Sequence, residues 1–223
     1  MLTLRAAWAV FAKDVRLELR SRVALNTLLV FAVATVMTVY FALVRAPLEP
    51  RAQAALLWIV MLFAASVGLG RAFVAEVERG TDLLLRLNVR PGAVYAGKLL
   101  FTLALTFVLG GVSSGALLLV LGVGVDHAGL LALTVALGGV GLAGAVTLLS
   151  AIIARAQGGG ALLPVLLFPL LVPLLLSAVR LTRAALDGGD GWRGATDGLV
   201  TLGAFAVVVV AAAVLLFEYV WDE

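Results

Sequence analysis

Six stretches of the chain stay apolar for about twenty residues at a time, the length a helix needs to cross a bilayer. They fall at about 23–44, 53–73, 99–122, 129–153, 161–179 and 198–217. Within each the apolar character is continuous and does not alternate, and the runs are too long for buried strands, so the pattern predicts helices. The fourth is the least sharp, because Gly138, Gly139, Gly141 and Gly144 lower its helix propensity. Close-packed neighbours in a membrane can offset that loss. The expected fold class is therefore all-α: a polytopic membrane protein with six spans.

Residues 1–22 follow a different pattern. Leu4, Trp8, Phe11, Val15 and Leu19 recur at helical spacing and line one face, while Arg5, Lys13, Arg16 and Arg20 fall on another. This predicts an amphipathic helix in the membrane interface, with its basic side chains near anionic headgroups. The alternative is an inward extension of the first span. The segment carries charges throughout and has no small-residue cleavage site, so a cleavable signal is not expected. The chain divides accordingly into an interfacial helix, 1–22, and a six-span domain, 23–223.

Composition agrees with the pattern. Of 223 residues, 63% are hydrophobic and 13% charged, against roughly 25% charged in soluble domains. The absence of cysteine excludes disulfides and Cys-ligated metals. Charge placement orients the chain. With the N-terminus inside, the inner flanks hold Arg5, Lys13, Arg16, Arg20, Arg22, Arg71, Arg79, Arg86, Arg90, Lys98 and Arg155. The outer loops hold only Arg45, Arg51, Arg180, Arg183 and Arg193. Both termini are expected in the cytoplasm.

The 74–98 connection, "VAEVERGTDLLLRLNVRPGAVYAGK", is the long cytoplasmic one. Thr81 is placed to cap a short helix whose first turn holds Asp82 and whose apolar stripe is Leu83, Leu84 and Leu87. Pro91 is expected to stop it and Gly92 to turn the chain back. Gly92, Gly97 and Lys98 imitate the start of a phosphate-binding loop. A working loop of that kind follows a strand and has Ser or Thr after the Lys; here Leu99 follows and a span begins. Lys98 reads instead as a cytoplasmic anchor at the head of span three. The leucine-bearing helix suits docking into a groove of a soluble partner, or lying on the membrane surface.

The stretch "EVERGTDLLLRL" followed by "RPGAVYAGK" resembles the segment after span two in ABC-2-type exporter permeases. Glu76, Glu78, Gly80, Thr81, Asp82, Leu83, Leu84, Pro91 and Lys98 fill the pattern, with Arg79 before the glycine. The fifth span, "RAQGGGALLPVLLFPLLVPLLL", with Gly158, Gly159, Pro169 and Pro173, is similar to that of the CcmB family. The resemblance covers essentially the whole chain. It departs from the usual family form at Arg79-Gly80, where many members carry Asp-Gly, and in span three, which lacks a His-Trp pair. It implies the inner-membrane permease subunit of an ABC transporter for cytochrome c maturation. That subunit would couple ATP hydrolysis by a separate ATPase, CcmA-like, to haem export or release of the haem-loaded chaperone. The implied partners are CcmC-, CcmD- and CcmE-like proteins, with two permease copies per complex. The coupling element would be Glu76, Glu78, Arg79, Gly80, Thr81, Asp82, Leu83, Leu84, Leu87 and Pro91. No catalytic residue, bound cofactor, metal or nucleic-acid partner is expected; haem enters as a candidate substrate. The alternatives are an ABC-2-type permease for a lipid or drug, and a membrane scaffold without transport.

No Asp, Glu, His or Lys lies near the middle of any expected span, which argues against an ion-coupled carrier. Pro164, Pro169 and Pro173 predict a kinked fifth span, either fixed or hinged. Gly111 and Gly115 bracket "GVSSG", a small-residue face suited to close helix packing, within the chain or between copies. His127, the one histidine, is either an axial ligand for haem on the outer side or an exposed loop residue, the second being favoured for a histidine with no partner. Met37 and Met61 are expected in the packed core. Trp192 is expected as an interfacial anchor or partner contact in the 180–198 loop.

Overall fold

In the computed structural model the described residues are 2–43, 48–70, 73, 76, 80, 81, 85, 87–155, 162–187 and 191–222. Seven long helices are found among them and no strand. They are α1 (Leu2–Ser21), α2 (Val23–Leu43), α3 (Pro50–Gly68), α4 (Pro91–Val120), α5 (Ala128–Arg155), α6 (Leu162–Leu186) and α7 (Thr196–Asp222). All but α1 are long and apolar enough to cross a membrane.

The expected span positions hold, but α4, α6 and α7 are longer than expected and α3 ends at Gly68, short of residue 73. α4 begins at Pro91, not near residue 99. Proline is favoured at the first helical position, where its missing N–H has no partner to lose. The chain therefore turns before Pro91, and Gly92 lies within the helix. α6 runs on to Leu186, past Arg180 and Arg183; Arg183 meets Asp187 one turn later at 3.4 Å.

α5 is the central post. It packs against α4, α6 and α7, while α3 lies on α6 and α1 lies along α4. The glycines that blur the fourth span in sequence are what allow this. A Cβ on Gly138 would sit 2.1 Å from the Trp58 ring of α3, and one on Gly141 would sit 2.5 Å from Leu174 of α6. The Trp58 indole N–H donates to the Thr182 hydroxyl at 2.9 Å, joining α3 to α6 inside the core.

The outward faces are apolar. Phe41, Leu119, Val200, Val207 and Leu215 are all exposed, as a hydrocarbon solvent requires. Four threonine hydroxyls inside the spans bond to their own helix: Thr35 to the Phe31 carbonyl, Thr106 to Thr102, Thr134 to Leu130 and Thr147 to Ala143. This satisfies those donors where water is absent, whereas the Ser113 and Ser114 hydroxyls of α4 are buried without a hydrogen-bond partner.

Several packing expectations change. Met61 is in the core, but Met37 lies on the outer surface. Pro164 sits in the first turn of α6, where proline removes no helical bond; only Pro169 and Pro173 are interior, and both are exposed. An added Cβ at Gly111 or Gly115 would meet nothing within 4 Å. Within the chain, the close approach in this part of α4 is at Gly110, whose added Cβ would lie 2.6 Å from Val135 of α5.

Candidate functional site: a buried ion cluster beneath the loop between α3 and α4

The head of α4, the tails of α5 and α7, and part of the 73–89 segment share one end of the bundle. Phe73, Val94, Tyr95, Leu148, Ala151, Phe217 and Trp221 form an apolar cluster there, with Leu85 and Val89 packed against it. The Phe217 ring lies 5.4 Å from Phe73, 5.1 Å from Tyr95 and 5.3 Å from Trp221. Aromatic pairs at such separations add to the area they bury. The C-terminal turn of α7 thereby holds the root of the segment.

Four charges lie beside this cluster. Lys98 of α4 is 2% exposed. Its ammonium is 2.7 Å from Glu76 Oε1 and 2.9 Å from Asp14 Oδ2 of α1. Lys13 also bonds Glu76 and lies 3.4 Å from Asp14. The Lys98–Asp14 contact is ionic and not an aligned hydrogen bond, since Asp14 Oδ2 has no hydrogen-bond partner. The Phe73 ring covers the Lys98 ammonium at 5.7 Å. Two carboxylates and two ammoniums sum to zero, which is how ions survive burial.

Gly97 explains how α1 comes close enough. A Cβ there would be 2.7 Å from the Ala7 carbonyl oxygen and 2.7 Å from Val10 Cβ. The buried face of α1 is Ala7, Val10 and Asp14, whereas Leu4, Trp8 and Leu19 point away from the protein. The expected apolar stripe is thus the outward face, and a second, protein-facing side was not legible from it. Gly97→Val is expected to overpack against a carbonyl that cannot move, at a cost of about 1–3 kcal/mol. A lowered unfolding midpoint and faster proteolytic release of the N-terminal segment would register this.

The loop's local geometry supports Glu76. Its N–H donates to the Phe73 carbonyl at 3.0 Å, and the Thr81 N–H donates to the Glu76 carbonyl at 3.0 Å. Gly80, at φ 65°, lies inside that closure. A six-to-one bond around a left-handed glycine is a Schellman closure. The Thr81 hydroxyl donates to the Glu76 carboxylate. The Leu85 N–H donates to the Thr81 carbonyl at 3.2 Å, and the Val89 N–H to the Leu85 carbonyl at 2.9 Å, so Thr81 heads a helical turn.

Burial alone would push the Glu76 carboxyl up. The Lys98 charge and hydrogen bonds from Lys13, Lys98 and Thr81 outweigh it and hold the group at about 2, below its ordinary 4.5. A depressed carboxylate contributes its stability in full above the unfolded value and loses it as pH falls through 4.5 toward 2. The difference in unfolding midpoint between wild type and Glu76→Gln should therefore be constant above pH 5 and shrink below 4.5. A difference that does not change on acidification would show that Glu76 is not held ionised.

Among the expected coupling residues, the structure brings Glu76, Thr81 and Gly80 together, with Leu87 and Pro91 nearby in sequence. Glu78, Arg79, Asp82, Leu83 and Leu84 lie outside the described residues. Glu76 faces inward, while Leu87 is 82% exposed. The expectation of Lys98 as a membrane anchor is corrected: it is the centre of the ion cluster. Residues 92–98, which imitate a phosphate loop, are helical throughout. Asp14 and Lys13 were not foreseen; the signal available was an acid, Asp14, set among the basic residues of α1.

At the opposite end, the N–H groups of Asp126 and His127 both donate to the Ala185 carbonyl, at 3.2 and 3.0 Å. A Cβ on Gly191 would be 2.3 Å from His127 Nε2. The ring is packed against that backbone, with its Nε2 turned to it, and is half-buried, not a fully exposed loop residue. Trp192 stands half-exposed beside it in sequence order. No group of three His, Cys, Asp or Glu suited to a metal occurs among the described residues.

Residues 5–218 match the family model described as CcmB protein. The chain belongs to the CcmB family. No curated protein and no solved structure gives a match. CcmB membership and six apolar helices together make this a multi-pass membrane protein of permease type, in the system of haem export and cytochrome c biogenesis.

Proposed function

We propose that this chain is the permease subunit that receives a separate CcmA-like ATPase on its 76–91 segment and transmits ATP hydrolysis to haem export or chaperone release. Family membership supports the system. The observation that carries the docking role is Leu87, 82% exposed on a turn whose inner neighbours Leu85 and Val89 are packed on the aromatic cluster. A rooted turn that offers a leucine outward fits a groove on a soluble partner. The excess of Lys and Arg on this side supports a cytoplasmic position. The outward face of α1, with Leu4, Trp8 and Leu19, fits the inner membrane interface. CcmC-, CcmD- and CcmE-like proteins and a second permease copy complete the complex. The chain itself supplies no catalytic group; haem is substrate.

The test is co-purification. The tagged chain, extracted in mild detergent from its native membrane, should bring down a stoichiometric ATPase and the maturation proteins. Leu87→Glu should fold normally, since the side chain is exposed, and reduce ATPase recovery about tenfold, the effect of losing roughly 1.4 kcal/mol of binding. ATPase without maturation proteins would assign the permease to another substrate, such as a lipid or drug. No ATPase with folded wild type would leave the scaffold role.

A further inference from the structure

We infer that the Lys13–Asp14–Glu76–Lys98 cluster is the joint through which a displacement of the 73–89 segment reaches α1 and α4 together. The inference rests on the ATPase-docking role proposed above and adds to it where the stroke goes. A docked partner can move the membrane part only through contacts that resist separation. The segment has two such roots. One is the apolar packing of Phe73, Leu85 and Val89, which is non-directional and permits sliding. The other is Glu76. Its carboxylate meets Lys98 of α4 at 2.7 Å and also bonds Lys13 of α1. Lys98 in turn meets Asp14 of α1 at 2.9 Å.

The segment, the head of α4 that follows it and the sequence-distant α1 thus share one neutral charge cluster. Pulling any one element away would leave its buried charge without its partners, so the three elements are held to move as a body. Gly97 adds a steric reason: the backbones of α1 and α4 are already in contact there and leave no room to slide closer. α1 then becomes a moving part in its own right. Its outward Leu4, Trp8 and Leu19 would carry the stroke into the surrounding membrane surface, and α4 would carry it to the centre of the bundle through its packing on α5. Asp14, Lys13 and Lys98 are positioning residues for this transmission.

The experiment compares wild type, Lys13→Gln and Asp14→Asn in the assembled complex. Each variant lies on α1, outside the docking segment, cuts one arm of the joint and leaves the Glu76–Lys98 pair in place. Three quantities are read: ATPase co-purification, ATP hydrolysis by the complex, and c-type cytochrome accumulation in cells. The expected result is unchanged co-purification and hydrolysis with cytochrome yield down about tenfold, within the range that coupling between sites spans. A merely structural loss would lower all three together. Restoration in the fully inverted variant K13E/D14K/E76K/K98E would support the joint, and it remains decisive if a single variant fails to accumulate. Undiminished cytochrome yield in both single variants would overturn the inference alone. So would loss of co-purification in folded Asp14→Asn, which would make α1 part of the docking surface. Absence of the ATPase from wild type would instead overturn the functional proposal beneath it.

Discussion

Lys98→Met should destabilise the protein by about 3–5 kcal/mol, the usual result of removing one member of a buried ionic group. Methionine is unbranched like lysine and only one atom shorter, so it fills most of the space and little cavity opens. What is lost is the charge between two carboxylates. Asp14 and Glu76 are both almost fully buried, and only Lys13, itself partly exposed, would remain to face them. One carboxylate must then take up a proton or draw in water. The triple variant Asp14→Asn, Glu76→Gln, Lys98→Met separates unpaired charge from lost contact. If unpaired charge is the cause, the triple variant should recover most of the stability, because neutral replacement of a whole buried ionic group is often tolerated. Unfolding titrations in SDS–detergent micelles at neutral pH measure both. A triple variant no more stable than Lys98→Met would mean that lysine acts through its contact with Phe73 and not through its pairing with the two carboxylates.

The spans were legible in the sequence because hydrocarbon imposes one requirement on every outward residue. The element boundaries were less so, and for a definite reason. Hydropathy stops counting at Lys98, at Arg180 and at Arg183, yet α4 and α6 continue through them. At Lys98 two acids from elsewhere in the chain neutralise the charge. At Arg183 the partner is Asp187. The left-handed turn at Gly80 was not legible: Gly80 enters only through the family pattern, and Thr81, expected as a helix cap, donates its hydroxyl to Glu76. Nor was the inward role of Glu76. It depends on Asp14 and Lys98, at long sequence separation, and the spacing of charges along one helix cannot reveal a partner on another. The small-residue pair Gly111 and Gly115 shows the converse limit. Its pattern permits close packing but cannot say which face is used, and within this chain the neighbouring Gly110 is the one that is used.

Trp58→Ala should be the most damaging truncation of an apolar side chain in the middle of the spans. The indole is buried on Gly138 of α5 and its N–H bonds Thr182 of α6 at 2.9 Å. One side chain therefore holds three helices. In soluble cores such truncations cost about 3–5 kcal/mol. Inside a bilayer the transfer part is small, because the alternative environment is also apolar. The loss is then mainly of packing contacts, which places the expectation at the low end, about 3 kcal/mol. Thr182 adds little, since its hydroxyl can turn back to a carbonyl of its own helix. The paired change at Gly138 tests the geometry directly. A Cβ there would collide with Trp58 Cη2, Cζ3 and Cζ2, atoms that phenylalanine does not have. Gly138→Ala should be strongly destabilising in wild type and nearly neutral in Trp58→Phe. A double-mutant cycle by SDS-induced unfolding should thus give a coupling energy of about 1–3 kcal/mol. Additive effects would show that the glycine is there for its backbone and not to receive the indole.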